Sequence, residues 1–535
     1  MDSFDYVIVG AGSAGCVLAN RLSEDPTIKV LLLEAGPRDT NPFIHIPAGF
    51  FKTLHNESVN WCFSTEKEES SGNRAIHWPR GKVLGGSSSI NGHLIVRGQP
   101  EDYDGWAQLG NRGWSYDDVL SYFKKFENAE IGDPEIRGKS GPINVREPIE
   151  QHPLTEHFME ACVEAGIPRN GDYNGATQEG VGFFQHAIRG GRRESTARTY
   201  LKMAKSRPNL RIETEAHTRK ILVEEGRATG VTYTQGGQEK SANADREVIL
   251  SSGSIGSPQI LELSGIGDGE RLKSIGIDVV HHLPGVGENL QDHYVARLSF
   301  KVKGIGTFNE RSRGWRLGVE VLRYVVSRKG LLTAAPGNVS ASIKVMPGAG
   351  TPDIQFSFAP ASYVDGLLGV LEPYPGMTCG FWQHRPTSRG SLHCVSKDPM
   401  VQPRIRPNYL GDRMDQDTMV AGARAARRVF EQPAIANFAD VETVPGTDVQ
   451  TDDELLAYIR AKGATVYHPI GTCKMGMGTD PMAVVDPSLR MHGLRNLRVV
   501  DASVMPRMVS ANTNAATLMI AEKAADMIKA DQSGA

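Results

Sequence analysis

The most regular pattern in the chain is a pair of unbroken apolar runs separated by glycines. Tyr6–Val9 is a short β-branched and aromatic run, which suits a strand buried on both faces. Gly10, Gly12 and Gly15 follow at GxGxxG spacing, and residues 14 to 23 then carry apolar side chains at helical spacing. A second buried strand is predicted at Val30–Leu33, ending on Glu34. Helical periodicity returns at 115–127, 154–166, 414–431 and 452–462. Between 352 and 381 the pattern changes to strand-like alternation broken by Pro and Gly loops, as expected of a lobe that lines a binding site with aromatic and aliphatic side chains.

At 535 residues the chain is too long for one small core, so two or more lobes, or one large α/β unit with insertions, are expected. A net charge of −3 and a pI near 6.6 give no support to nucleic-acid or anionic-membrane binding. Peripheral membrane contact through a short amphipathic patch stays open. Six scattered cysteines, at 16, 62, 162, 379, 394 and 473, form no CxxC pair and no metal-ligand spacing. They read as reduced thiols, and no metal site is expected. The start of the chain has no basic and then apolar leader pattern, and no window reaches the length of a membrane span, so a cytoplasmic location is expected. The closing "DQSGA" reads as a frayed tail.

The strand, glycine turn, helix, strand and acid occur in an order with a physical logic. The first glycine permits the tight turn, and the second lets backbone approach a pyrophosphate. The third lets helix pack on strand, while the helix N-terminus offers free N–H groups to phosphate. Glu34 suits a ribose 2′-OH and disfavours a 2′-phosphate. An adenine dinucleotide is therefore expected, although this motif does not separate FAD from NAD.

Two further glycine-rich stretches, "RGKVLGGSSSINGHLIVRG" (80–98) and "GSIGSPQILELSGIG" (253–267), offer small residues and free N–H groups to a flat or anionic ligand. Together with "LPGVGENLQDH" (283–293), "ATVYHPIGTCKMG" (464–476) and "GLRNLRVVDASVMP" (493–506), they resemble the signature segments of the glucose–methanol–choline family of flavin oxidoreductases. The resemblance runs from residue 4 to about residue 530. Within the family the chain most resembles bacterial acceptor-linked alcohol dehydrogenases of the medium-chain aliphatic alcohol and polyethylene glycol type.

The resemblance implies an α/β fold: a Rossmann-like FAD-binding domain with a discontinuous second domain built on an antiparallel sheet and helices. The FAD-binding pieces are expected at 1–155, 205–305 and 465–535, and the substrate-domain pieces at 156–204 and 306–464. It also implies that FAD contacts Gly10, Gly12, Ser13, Ala14, Gly15, Glu34 and Ala35 in the first unit. Further contacts are expected from Arg80, Gly81, Val83, Gly85, Gly86, Ser87, Ser88, Asn91 and Gly92, and from Thr218, Asp501, Ala502, Asn512 and Thr513. Some family members tether FAD through a histidine directly before the asparagine of the second motif. Here that position is Ile90, so FAD is expected to be non-covalent. His93, three residues further on, does not occupy the tethering position and is read as structural, with a place near the flavin edge as the alternative.

For catalysis the resemblance points to His468 as the base and Asn512 as its partner. Removing an alcohol's proton while hydride leaves for a flavin calls for a group that titrates near neutrality, which histidine does. The Asn512 amide can hold the substrate oxygen. Asn514 competes for that role, but the spacing from His468 favours Asn512. In choline-oxidising relatives a glutamate helps hold the quaternary ammonium. The matching stretch, 331–345, has no acid and places Asn338 near that register. The expected reaction is oxidation of a neutral primary alcohol, with electrons passed to a quinone-like or artificial acceptor. The rivals are an oxidase using O2 and a redox-silent FAD-containing lyase.

Overall fold

A computed structural model describes residues 2–364 and 369–533. Its first sheet grows around the opening strand, Asp2–Val9, which pairs in parallel with Val30–Leu33 on one side and with the long strand Gln238–Leu250 on the other. Leu210–Glu213 extends the sheet beyond Val30–Leu33, again in parallel. Val7, Ile8, Val30 and Leu32 are wholly buried, as an apolar run covered on both faces requires. Strand Gln238–Leu250 serves two neighbours. Its first half pairs antiparallel with Arg227–Gln235, and its last three residues pair in parallel with Leu497–Val499. The helix Ser13–Leu22 covers one face and packs on the C-terminal helix Thr513–Ser533. Arg21 on the first helix pairs with buried Glu522 on the second at 2.7 Å. The end of the chain is thereby brought back to its beginning.

The second sheet is antiparallel throughout, in the order Ala439–Val444, Tyr294–Val302, Gly376–Gln383, Ile354–Ala359, Val339–Ile343 and Gly180–Phe183, with Ala464–Thr465 added beside Tyr294. Its two faces follow the period of two that strands impose. Leu298, Phe356, Phe358, Met377, Cys379 and Phe381 point into a core closed by the helices Pro153–Glu164 and Arg413–Phe430. There Phe158 stacks on Phe358 with ring centroids 4.2 Å apart. The alternate residues Val295, Arg297, Ser357, Ala359, Thr378, Gly380 and Trp382 face a cleft instead.

The four helices expected from periodicity are found within two residues of their expected ends, as Tyr116–Phe126, Pro153–Glu164, Arg413–Phe430 and Asp452–Lys462. The expected boundaries need correction. Tyr294–Val302, placed at the end of the 205–305 piece, is a strand of the antiparallel sheet. Phe184, Ala197, Tyr200 and Leu201, placed in the 156–204 piece, pack into the core of the parallel sheet. The expected frayed tail begins too early, because helix continues to Ser533; residues 534–535 lie outside the described residues. Residues 365–368, inside the expected substrate segment, also lie outside them.

The glycine turn shows which of its glycines the fold itself needs. A Cβ on Gly15 would stand 1.9 Å from the Gly10 carbonyl oxygen, whereas one on Gly12 would meet nothing nearer than 3.9 Å. Gly15→Ala is therefore expected to destabilise the protein by about 2 kcal/mol or more. Gly12→Ala is expected to cost at most about 1 kcal/mol, the scale of a helix N-cap change. Thermal unfolding of the two variants side by side checks this.

Candidate active site

One elongated cleft separates the glycine turn from the antiparallel sheet. At its dinucleotide end three helices begin: Ser13–Leu22, Gly253–Leu263 and Thr513–Ser533. The first has Gly12 as its N-cap, with no side chain to satisfy its leading N–H groups. Free helix N–H groups beside an empty Cβ position form a cradle for phosphate. Glu34 is buried at the edge of this cradle, accepting N–H bonds from Ala11 (3.0 Å) and Gly36 (2.9 Å). Burial pushes its carboxyl up to about 7 despite those bonds. Hydroxyl donors from a ribose would favour the charged form. Further along, Ser251 Oγ, both ring nitrogens of His93, Trp382 Nε1 and Asn512 Oδ1 are buried without a protein partner, and all five belong to cleft-lining residues. Orphaned polar atoms around one cavity fit a ligand that carries its own donors and acceptors, as FAD does.

The sequence-predicted cofactor residues Gly10, Gly12, Ser13, Ala14, Glu34, Ala35, Arg80, Gly81, Gly86, Ser87, Asn91, Gly92, Thr218, Asp501, Ala502, Asn512 and Thr513 line this cleft. Four others do not. Gly15 packs beneath Gly10. The Val83 side chain joins Ile44 and Val59 in a small apolar cluster. Gly85 N–H donates to the Ala11 carbonyl at 2.8 Å, fastening the second glycine loop to the first. Ser88 Oγ donates to the Gly85 carbonyl (2.6 Å) and meets Thr196 Oγ1 (3.0 Å). These four shape the cleft from behind. His93 does line it, buried edge-on against His186 with ring centroids 5.2 Å apart.

His468 and Asn512 are brought together: the Asn512 amide nitrogen lies 3.0 Å from His468 Nε2. Asn514 is turned away and donates to Ser13 Oγ at 2.8 Å. Behind His468 stands a residue for which the sequence reading gave no role, His293. Its Nδ1 is 2.9 Å from His468 Nδ1, and its Nε2 is 2.8 Å from the His384 carbonyl oxygen. Because a carbonyl only accepts, His293 Nε2 must carry a proton. In the neutral ring His293 Nδ1 is then an acceptor, and His468 Nδ1 must donate to it. That leaves His468 Nε2 as a bare lone pair facing Asn512 and the cleft. Burial drives both rings toward neutrality, holding His293 at about 4 and His468 well below the ordinary histidine value. The nearby Arg80 cation adds to the effect on His468.

The backbone that aims His468 is also held. Tyr467, just before it, has φ = 68°, in the left-handed region that a tyrosine rarely adopts. Its N–H donates to Thr465 Oγ1 (2.6 Å), and its carbonyl accepts from Arg80 Nη2 (2.6 Å). Asp292, wholly inside, accepts from the His468 N–H (2.7 Å), the Thr465 hydroxyl (2.6 Å) and the Tyr409 hydroxyl. Burial raises its carboxyl to about 6 even with three donors. Gln291, its neighbour, accepts from the Met508 N–H (3.0 Å) and so also braces the loop that ends in Asn512. Asn338 does not line the cleft; it is buried, with its amide donating to the Glu150 carbonyl at 3.3 Å.

Comparison with known proteins follows the same lines. The N- and C-terminal parts of the GMC oxidoreductase family profile match residues 4–295 and 386–521. An alcohol dehydrogenase [acceptor] of Pseudomonas putida is 46% identical over 98% of this chain and 95% of its own. The mitochondrial choline dehydrogenase of Homo sapiens is 45% identical over 99% of this chain and 90% of its own. Among solved structures, pyridoxine 4-oxidase from Mesorbium loti superposes with a TM-score of 0.90 at 32% identity, covering 98% of this chain and 99% of the other. Family segments at both ends, near-full-length relatives and a cleft with the donors a flavin needs lead to one conclusion: this chain belongs to the GMC oxidoreductases, FAD-binding flavoproteins that carry out redox chemistry.

Proposed function

We propose that the protein oxidises a neutral primary alcohol to the aldehyde, with His468 as the base and FAD held non-covalently. The observation that carries this reading is the bare His468 Nε2, aimed into the cleft beside the Asn512 amide. Bound FAD supplies the hydride acceptor at N5. An alcohol replacing the Asn512 contact would give its hydroxyl proton to His468 Nε2. The Asn512 amide, freed from the histidine, would donate to the substrate oxygen and steady its developing charge. His293 keeps the proton of His468 on Nδ1 throughout, so that Nε2 stays available.

Both an alcohol dehydrogenase and a choline dehydrogenase are near relatives, so the substrate has to be argued from the cleft. Among the described residues lining it, the carboxylates are Glu34 and Asp501, both beside the helix starts of the dinucleotide end. On the side of the antiparallel sheet the cleft is lined by Phe51, Tyr363, Trp382, Val295 and Ala359 among others, with the Arg297 cation close to Tyr363 and Tyr467. Among the described residues there, a quaternary ammonium would meet the Arg297 like charge with no carboxylate to offset it. An aliphatic or ether chain would meet apolar surface. We further infer, from the resemblance to acceptor-linked enzymes, that the electrons leave for a quinone-like acceptor.

Anaerobic mixing with primary alcohols tests the reading directly. Medium-chain alcohols are expected to bleach the flavin, with air restoring its colour slowly; rapid recolouring with peroxide would mark an oxidase, and no bleaching would leave a lyase in front. Choline is expected to bleach it at least about a hundredfold more slowly, a like-charge penalty of a few kcal/mol. His468→Ala is expected to lower the bleaching rate by about 10²–10⁴-fold with FAD retained. His293→Phe, which removes the tautomer lock without touching substrate, should cost at least about tenfold. Because His468 stays neutral well below the ordinary value of about 6.5, the wild-type rate should be flat above neutral pH. It should fall only on the acid side, where the ring gains a proton. A stopped-flow pH profile with and without His293 checks both statements. Acid precipitation of the holoprotein should leave all the flavin in the supernatant.

A further inference from the structure

The helix Gly314–Ser327 turns its apolar side outward. Only Glu320 and Tyr324 are buried in it. Glu320 pairs with Arg311 at 2.6 Å, and the Tyr324 hydroxyl donates to the Gly191 carbonyl at 2.9 Å. Trp315, Val319, Val321, Leu322, Val325 and Val326 are all exposed, Trp315 and Val326 each at 77%. At about 100° per residue these six form one continuous arc of about 160°. A surface helix of a water-soluble protein normally shows the reverse arrangement. An apolar stripe of this size, with a tryptophan in it, marks an interaction surface.

The charges around the stripe identify what it meets. Between residues 313 and 329 the chain carries Arg313, Arg316, Arg323, Arg328 and Lys329 against a single acid, Glu320. That acid faces inward and is already paired. The Arg316 guanidinium lies 5.8 Å from the Trp315 ring centre. The cationic rim is thus local, in a chain whose net charge is −3. A second copy of the chain is a poor occupant, since a two-fold contact would set this rim against itself. An apolar belt edged by Trp, Arg and Lys matches the headgroup boundary of a bilayer containing anionic lipid. We propose that Gly314–Ser327 is an interfacial membrane helix. It lies in the bilayer plane with Trp315, Leu322, Val325 and Val326 immersed and Arg316, Arg328 and Lys329 on lipid phosphates, while Arg323 is held by Glu150 and Glu320.

A small apolar cluster links the neighbourhood of the helix to the cleft wall. Phe308, Leu331 and Ala361 form it with Ala334 and Leu371, and Arg313 donates to the Leu371 carbonyl. Tyr363, two residues after Ala361, lines the cleft with its ring centroid 5.9 Å from that of Phe51. Val370, 48% exposed, continues the apolar surface. The proposal itself stands on the helix and not on the identity of the alcohol or its acceptor.

Sedimentation of the holoprotein with vesicles provides the test. Wild-type protein is expected to pellet with phosphatidylcholine–phosphatidylglycerol vesicles, and less with phosphatidylcholine alone or in high salt. The double variant Leu322→Glu, Val326→Glu should lose at least about tenfold in partition. Its melting temperature and alcohol-driven bleaching should match wild type, since neither side chain touches the core or the cleft. A second variant, Arg316→Glu, Lys329→Glu, should lose the preference for anionic vesicles. Wild-type protein left in the supernatant, or either variant binding as wild type does, would overturn the proposal. So would light scattering that shows a wild-type dimer dissolved by Leu322→Glu, Val326→Glu, which would assign the face to a second copy.

Discussion

A peptide carbonyl has lone pairs and no proton, and the His384 carbonyl imposes that limit on everything in front of it. Bonded to His293 Nε2 at 2.8 Å, it fixes the tautomer of one imidazole, which fixes that of the next, so the lone pair of His468 faces the cleft. No charged group is needed for this relay. A carboxylate behind the base, as in a hydrolase triad, would favour the imidazolium. Here the backing group is a neutral ring and the surroundings are buried, so His468 stays unprotonated at rest. The chain places this relay where the two sheets meet: His293 precedes the strand Tyr294–Val302, His384 follows Gly376–Gln383, and the two strands are hydrogen-bonded neighbours.

The same junction explains why five consecutive residues, Asn289 to His293, matter more than their length suggests. Leu290 exchanges backbone bonds with Gly390, and Gln291 with Ile470. Gln291 also reaches the loop before Asn512, while Asp292 holds the turn before His468. Asp292 is costly to bury, and its raised carboxyl shows that three hydroxyl and amide donors only partly offset the loss of water. In return the left-handed Tyr467 and the proline after His468 are held in one arrangement. Both partners of the proposed chemistry thereby answer to one short segment.

The sequence made the cofactor half legible because its requirements are local. A glycine turn, the helix that follows and an acid at the end of the next strand are all read within 36 residues. Gly15, Val83, Gly85 and Ser88 were harder to place, because whether a small residue touches a ligand or supports one that does depends on packing. His468 and Asn512 stand out through their context, yet the contact between them spans 44 positions. His293 was invisible as a functional residue, although its segment was recognisable. Its role depends on a carbonyl 91 residues away, for which no spacing rule exists. A run of Asn, Gln, Asp and His leading straight into a buried strand was the available signal, since polar side chains there must find partners inside. The domain boundaries failed for a related reason. A strand's pattern reports that it is buried, but not which sheet buries it.

Net charge does not speak to the proposed membrane face. Summed over the chain it is slightly negative, and that sum gives no support to an anionic surface. Electrostatic attraction to a bilayer decays within a Debye length, about 8 Å at physiological salt. Only charges near the contact are therefore felt, and the acids elsewhere on the molecule contribute little. What decides is the stretch from 313 to 329, where the one acid is buried and paired while the cations edge an apolar arc. Periodicity alone places Trp315, Leu322 and Val326 on one face of a helix, as it would for a core helix. Only the fold reveals that this face looks outward, because Glu320 and Tyr324 already occupy the inner side.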